Sequence, residues 1–166
     1  MIISLLQHIR RNHSLEHATI NLVTEQYPLA QVVGFSGPWG FTLYTSLTAE
    51  EIVPAVMKAL QRLKAGESNL RIHANCGTNL AVAAMLTAGA TLLGTGKETS
   101  WLKRLERFPQ LILLNVLALM VARPLGEWVQ AHLTTDPDLT QMDIASIFTD
   151  LQGHLRRIRV HTRQAA

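Results

Sequence analysis

The sequence predicts an α+β fold: a small sheet-and-helix domain with an inserted transmembrane helical hairpin. Two observations lead to this prediction. First, the segments at both ends of the 166-residue chain are amphipathic or alternate between apolar and polar residues. Second, the middle of the chain is apolar. Two spans would return the chain to its starting side of the bilayer. We therefore expect residues 1–74 and 132–166 to form one α+β domain, with the hairpin at 75–131.

The N-terminal elements follow from periodicity and turn signals. Ile2 to Gln26 reads as one amphipathic helix, which a Tyr-Pro pair ends. Gln31 to Leu47 reads as a β-hairpin, because three glycines and a proline interrupt two apolar runs. Thr48 to Glu51 has the form of a capping box, so we expect a second helix to begin there and to end near Gly66.

The later elements include the two apolar segments and three strands. From Ala74 to Gly96 no side chain is charged, and Phe108 to Ala122 is more apolar still. We predict that Leu80–Leu93 and Phe108–Val121 pair antiparallel in the membrane, and that Gly89→Leu weakens the pair if Gly89 faces the partner helix. Strands are predicted at Leu70–His73, Asp143–Phe148 and Leu155–His161, the last two joining the sheet that contains Phe41–Thr45 or Leu70–His73.

Composition points toward a membrane and away from two other classes. Hydrophobic residues make up 48% of the chain and charged residues only 16%, with a mean hydropathy of +0.15. We therefore expect an integral membrane protein of an inner or thylakoid-type membrane, with the lipid bilayer as a partner. The net charge is only +3, and no aromatic pattern accompanies the basic run Arg156–Arg163, so no nucleic-acid partner is expected. The single cysteine excludes an intrachain disulfide.

The segment most suggestive of chemistry is His13-Ser14-Leu15-Glu16-His17, which reads H-x-x-E-H. On a helix His13 and His17 lie one turn apart on one face, and Glu16 borders that face. Two imidazoles beside a carboxylate can hold Zn²⁺ and supply a general base. The sequence therefore predicts a zinc site with His13 and His17 as ligands and Glu16 as the catalytic residue.

A catalytic zinc site needs a third protein ligand, and the sequence offers more than one. His73 is our prediction, because it precedes the polar run Ala74–Asn79 at the start of the first apolar segment. Cys76 remains the alternative, since His73-x-x-Cys76 also has plausible ligand spacing. We expect Asn12, Asn75 or a backbone carbonyl to hold the far nitrogen of a histidine.

Two resemblances accompany these residues. Asn12–Thr19, Gly34–Gly37 and Ile72–Asn79 resemble segments of an uncharacterised family of small membrane proteins from cyanobacteria and other photosynthetic bacteria. That resemblance runs nearly end to end and implies no activity. The H-x-x-E-H segment alone is similar to the motif of inverted zincin metallopeptidases, which draw a further glutamate from a distant helix. No glutamate in this chain is an obvious match.

The sequence supports two main functional hypotheses. The first is a membrane-anchored zinc-binding protein, a metallopeptidase-type hydrolase that acts on membrane proteins or peptides. Its substrate would be aligned by strand addition near Phe41–Thr45. The second is a non-enzymatic assembly or stability factor for a larger membrane complex, such as a photosynthetic one, with Trp39 as the contact. Binding of a tetrapyrrole by His13 or His17 is a third possibility.

Overall fold

The computed structural model describes residues 2–96 and 101–164, without the side chains at 2, 3 and 102–104. The described chain divides into two compact units. The sheet unit runs to His73 and resumes at Gln130, and the helical unit spans Ala74–Val129. In chain order the elements are α1 (Ile2–Gln26), β1 (Val32–Gly37), β2 (Gly40–Thr45), α2 (Ala49–Lys64), a 3-10 turn (Ser68–Arg71), α3 (Gly77–Thr95), α4 (Trp101–Glu106), α5 (Phe108–Val129), a π-helical turn (Gln130–Thr134), β3 (Met142–Gln152) and β4 (Leu155–Gln164).

The four strands form one antiparallel sheet in the order β1-β2-β4-β3. β2 connects the N-terminal hairpin to the C-terminal strands, because it pairs with β1 on one side and β4 on the other. Across the β2–β4 pair, Leu43 lies opposite Ile158 and Phe41 opposite Val160. The prediction that the C-terminal strands join the sheet of Phe41–Thr45 is confirmed, and so is the α+β fold class. β1 and β3 are the edge strands, because β2 and β4 each have a neighbour on both sides.

Both long helices of the sheet unit contribute to one hydrophobic core with the sheet. Leu15 and Val23 of α1 and Ile52 and Val56 of α2 are fully buried, together with Leu43, Ile158 and Val160 from the strands. Alternation along β4 turns Ile158 and Val160 toward this core and leaves the residues between them outside it. The sheet unit therefore has two layers, with the helices on one face of the sheet.

α2 begins and ends as its sequence predicts. Thr48 is the N-cap residue of a complete capping box, in which the Glu51 carboxylate accepts the Thr48 backbone N–H at 2.7 Å. The helix ends at Lys64. The predicted span of α1 and the predicted β-hairpin also match the structure.

The predicted strand at Leu70–His73 is wrong. Ser68–Arg71 forms a 3-10 turn, and Ile72, the residue that follows the turn, is extended. Side chains bind the backbone there in place of a neighbouring strand. The Asn21 amide donates to the carbonyls of Leu70 and Ile72, both at 2.9 Å. The His73 N–H donates to the Gln130 side-chain oxygen at 2.9 Å, and the Gln130 amide donates back to the His73 carbonyl at 3.1 Å.

Within the helical unit, α3 and α5 pack against each other and run antiparallel. Asn79 lies against Gly126, Thr91 bonds Asn115, and Gly94 lies against Leu111, so positions along α5 fall as those along α3 rise. A Cβ at Gly89 would meet nothing within 4 Å, so Gly89 does not lie against the partner helix, and the condition under which Gly89→Leu would weaken the pair is not met. Two helices of the described chain, Gly77–Thr95 and Phe108–Thr134, are long and apolar enough to cross a membrane.

Candidate metal centre

Three histidine rings of the sheet unit lie near one another, and His17 is a neighbour of both other rings. The ring centroids of His13 and His17 on α1 are 4.1 Å apart, and the planes meet at 61°. The His73 ring, just beyond the 3-10 turn, has its centroid 5.8 Å from that of His17. The residues that the sequence predicts as zinc ligands are therefore neighbours, although His73 comes from a distant part of the chain.

Each of the three rings binds an oxygen through Nδ1. His13 Nδ1 lies 2.9 Å from the Thr134 carbonyl, and His17 Nδ1 lies 2.6 Å from the Arg71 carbonyl. His73 Nδ1 lies 2.7 Å from the side-chain oxygen of Asn21. An oxygen of this kind only accepts, so Nδ1 carries the proton in each neutral ring and Nε2 carries the lone pair. Ligand histidines are commonly oriented in this way by a second hydrogen bond.

The segment that carries the Thr134 carbonyl is held by side chains of α1 that bind its neighbours. The Arg10 guanidinium donates to the carbonyl of Thr135 at 2.9 Å and to that of His132 at 3.1 Å. The buried Ser14 hydroxyl donates to the Asp136 carbonyl at 2.6 Å and accepts the Asp136 N–H at 3.0 Å. The segment that orients the His13 ring is therefore fixed to the helix that carries His13.

The partners of His17 and His73 are fixed by a second set of hydrogen bonds. The Arg71 guanidinium donates to the Ala131 carbonyl at 2.6 Å and to the Thr135 hydroxyl at 3.2 Å. Because the Asn21 amide nitrogen binds the backbone of the 3-10 turn, its oxygen must point toward His73. The fully buried Gln130 side chain then binds the His73 backbone on both sides.

Glu16 is buried against the edge strand β1. Only 5% of Glu16 is exposed, and the Ser36 hydroxyl donates a hydrogen bond to its carboxylate. The carboxylate lies directly over Gly34, where a Cβ would stand 2.2 Å from Glu16 Oε1. The position thus needs glycine for space, since the backbone of Gly34 is not left-handed.

Burial shifts the pKa of two groups in opposite directions. Burial raises the pKa of Glu16, although the Ser36 hydrogen bond and the nearby His13 ring oppose that rise. Burial lowers the pKa of His73, and the neighbouring His17 ring lowers it further. The carboxylate is therefore a stronger base than an exposed glutamate, and His73 favours the neutral form that binds metals.

Of the groups expected to hold the far nitrogen of a histidine, the backbone carbonyl is the one found, at His13 and at His17. Asn12 lies elsewhere: its amide donates to the Gly37 carbonyl at 2.8 Å and its oxygen accepts the Thr162 hydroxyl at 2.6 Å. Asn21 and Ser36 carry no motif that could have marked them. Asn21 does lie four residues beyond His17, on the same face of α1, and that spacing was the available signal.

Two other expectations concern Cys76 and the substrate edge. Cys76 is the N-cap residue of α3, where its sulfur accepts the Thr78 N–H at 3.4 Å. It belongs to the helical unit, and its thiol is not in a disulfide. The predicted sheet edge near Phe41–Thr45 is wrong, because β2 is an inner strand. The edge on that side is β1, the strand that touches Glu16.

Comparison with known proteins places the sequence in a family. The model described as "Domain of unknown function (DUF6391)" matches residues 8–147. An uncharacterised protein of the cyanobacterium Picosynechococcus sp. is 37% identical over 139 residues, covering 76% of this chain and 65% of the relative. The chain thus spans less than two thirds of that relative's length. No solved structure matches the chain. The predicted resemblance to an uncharacterised cyanobacterial family is confirmed at this level.

Proposed function

The chain belongs to the DUF6391 family, whose description gives no activity, and from the site itself we propose a function. We propose a membrane-anchored zinc-binding protein, a metallopeptidase-type hydrolase that acts on membrane proteins or peptides. One observation carries the proposal. The rings of His13, His17 and His73 are neighbours, and each donates Nδ1–H to an oxygen, which assigns the lone pair of each ring to Nε2.

The donor set suits zinc better than other common divalent ions. Three neutral imidazoles are the protein ligands of some catalytic zinc sites, whereas Mg²⁺ and Ca²⁺ prefer carboxylate and carbonyl oxygens. A zinc ion held by these residues would polarise a substrate carbonyl and lower the pKa of a water.

Glu16 supplies the base in this proposal. Its carboxylate accepts a proton from the water, whose oxygen forms a bond to the carbonyl carbon of the substrate. The C–N bond of the peptide then breaks, and the proton passes from Glu16 to the departing nitrogen. The raised pKa of Glu16 supports this role, because a carboxylate whose pKa is closer to neutrality accepts a proton from water more readily than an exposed glutamate does.

The edge strand β1 is the place where an extended substrate would bind. The Gly37–Gly40 pair closes the two-residue turn, so the backbone N–H and C=O groups of Val32, Gly34 and Ser36 point away from β2. Among the described residues, β1 pairs with β2 alone. A peptide added there as a further strand would pass beside Glu16, which contacts Gly34 and Ser36.

The helical unit is the proposed membrane anchor. α3 and α5 pair through small residues, and their apolar side chains remain exposed within the unit, as expected of helices that face lipid. Leu92 and Met120, for example, are exposed. We therefore propose an integral membrane protein of an inner or thylakoid-type membrane, with neighbouring membrane proteins or their termini as substrates.

One observation favours a non-enzymatic alternative. The polar groups of the site have protein partners of their own: Ser36 binds Glu16, Asn21 binds His73, and backbone carbonyls bind the other two rings. Such a network can exist as a structural core without a metal. The protein would then be an assembly or stability factor for a larger membrane complex, with the exposed Trp39 as a contact.

Metal analysis of the full chain purified in detergent separates the two functions. We expect about one zinc per chain in the wild type and in Glu16→Gln. We expect little zinc in His17→Ala, because two remaining ligands bind weakly. The matched control is His154→Ala, which removes an exposed histidine in the β3–β4 turn.

Hydrolysis of membrane peptides is then compared among the same proteins. Glu16→Gln should retain zinc and lose hydrolysis, whereas His17→Ala should lose both. Absence of zinc from wild-type protein that was refolded with zinc would contradict the hydrolase. A loss of stability alone in both variants would then favour the assembly factor.

A further inference from the structure

The face of the sheet opposite α1 and α2 is left uncovered by the described elements of the sheet unit. We call this surface the open face. Strand alternation and register assign side chains from all four strands to it. They are Val33, Phe35, Thr42, Tyr44, Phe148, Asp150, Arg157, Arg159, His161 and Arg163.

Large aromatic side chains are exposed on and beside the open face. Phe35 is 63% exposed and Phe148 is 52% exposed, while Trp39, in the β1–β2 turn, is 74% exposed. Exposed apolar side chains that cluster in one region of a surface often mark a site of interaction with a protein or a membrane. Tryptophan in particular is enriched at the boundary between water and lipid, because its ring is apolar and its N–H is polar.

Arginines share this face with the aromatic rings. Arg157, Arg159 and Arg163 alternate along β4 with residues that point to the helices, so all three lie on the open face. Asp150 binds Arg157 at 2.9 Å and lies 3.5 Å from Arg159. Asp143, opposite Arg163, is paired with Lys64. One carboxylate among three guanidinium groups leaves the face positively charged.

A shallow depression lies where the aromatic and basic groups meet. It has a volume of about 380 Å³, and Phe35, Trp39, Arg159 and His161 line it. We propose that the open face docks on an anionic lipid bilayer, with Trp39 and Phe35 in the interface. Arg159 and Arg163 bind the phosphates of phosphatidylglycerol headgroups. This proposal rests on the membrane anchoring proposed above and is independent of zinc and hydrolysis.

The same residues fit single-stranded nucleic acid less well. A stacking platform presents ring faces along the strand, whereas Phe35 and Tyr44 meet edge to face at 80° and Phe148 and His161 at 83°. A bilayer needs only a positive surface with an apolar rim.

Fluorescence of Trp39 in the full chain tests the proposal. Trp101→Phe and Trp128→Phe leave Trp39 as the single tryptophan, and this protein is reconstituted into lipid nanodiscs with brominated acyl chains. The discs contain phosphatidylcholine alone or with phosphatidylglycerol. We expect a blue shift and quenching of Trp39 in anionic discs, weakened by salt. Each arginine near an anionic surface should shift the docked population about fivefold.

Arg159→Gln with Arg163→Gln should therefore lower the ratio of docked to undocked protein about 25-fold. The matched control, Lys58→Gln with Arg62→Gln, removes the same charge from α2, on the other side of the sheet layer, and should change nothing. Circular dichroism checks the fold of each variant. Equal Trp39 emission in both lipids, or failure of the chain to associate with the discs, overturns the proposal. A change in Trp39 emission that occurs only when an oligonucleotide is added, or only when a second copy of the chain is in the disc, also overturns the proposal.

Discussion

Gly34 is the position where the smallest substitution should have the largest effect on the site. A Cβ there would stand 2.2 Å from Oε1, 2.7 Å from Cδ and 2.8 Å from Cγ of Glu16. The Glu16 side chain must therefore move, and it loses the Ser36 hydrogen bond while it remains buried. Overpacking costs about 1–3 kcal/mol, and a lost bond to a charged group costs about 1.5–3 kcal/mol.

We therefore expect Gly34→Ala to lower the free energy of unfolding by about 2.5–6 kcal/mol, measured by denaturant unfolding in detergent micelles. Gly37→Ala is the control on the same strand, because its nearest neighbour would be 4.0 Å away. That change should be neutral, or stabilising by about 0.4–1 kcal/mol, through the unfolded chain.

A double variant shows whether the loss comes from Glu16. Glu16→Ala removes the atoms that the new Cβ would meet, so Gly34→Ala should cost much less when Glu16 is already alanine. The coupling should be of the order of 1–3 kcal/mol. Equal stability of the Gly34 and Gly37 variants would refute the reasoning, and so would additive effects in the double variant.

Two further predictions concern pH and the helical unit. The raised pKa of Glu16 means that the folded state binds its proton more tightly, so the buried carboxylate destabilises the fold above its folded pKa. The free energy of unfolding of the wild type, relative to that of Glu16→Gln, should therefore rise as the pH is lowered from about 7.5 toward 4.5, the ordinary pKa of glutamate. A difference in unfolding free energy that does not change with pH would contradict this prediction. Gly126→Leu should weaken the pairing of α3 and α5, because a Cβ there would meet Asn79, whereas Gly89→Leu should not, since nothing lies within 4 Å. Thermal aggregation in detergent compares the two, and equal losses would count against the packing described here.

The sequence determined most of the elements because their signals are local. The alternation of Ile158 and Val160 with basic residues predicts β4, and the capping box at Thr48 predicts the start of α2. The helical spacing of His13 and His17 likewise requires them to share a face. Each of these signals depends on residues a few positions apart, which the backbone geometry of a helix or strand brings together.

Tertiary contacts decided the rest. Leu70–His73 alternates as a strand does, yet the amides of Asn21 and Gln130 bind its backbone and it forms a 3-10 turn instead. The order β1-β2-β4-β3 makes β1 an edge strand and β2 an inner strand, because the C-terminal strands pair with β2. Which strands pair depends on how segments far apart in the sequence pack together in the core. The pattern of a few neighbouring residues does not contain that information.

The candidate site divides in the same way. The sequence determined which residues could bind a metal, because H-x-x-E-H specifies both residue types and their spacing on one helix turn. Only the tertiary structure brought His73 beside His17 and gave each ring an oxygen partner for Nδ1. It also placed Gly34 and Ser36 against Glu16. The residue types are a local property of the chain, whereas the orientation of a ring and the pKa of a carboxyl are set by groups that folding brings from elsewhere.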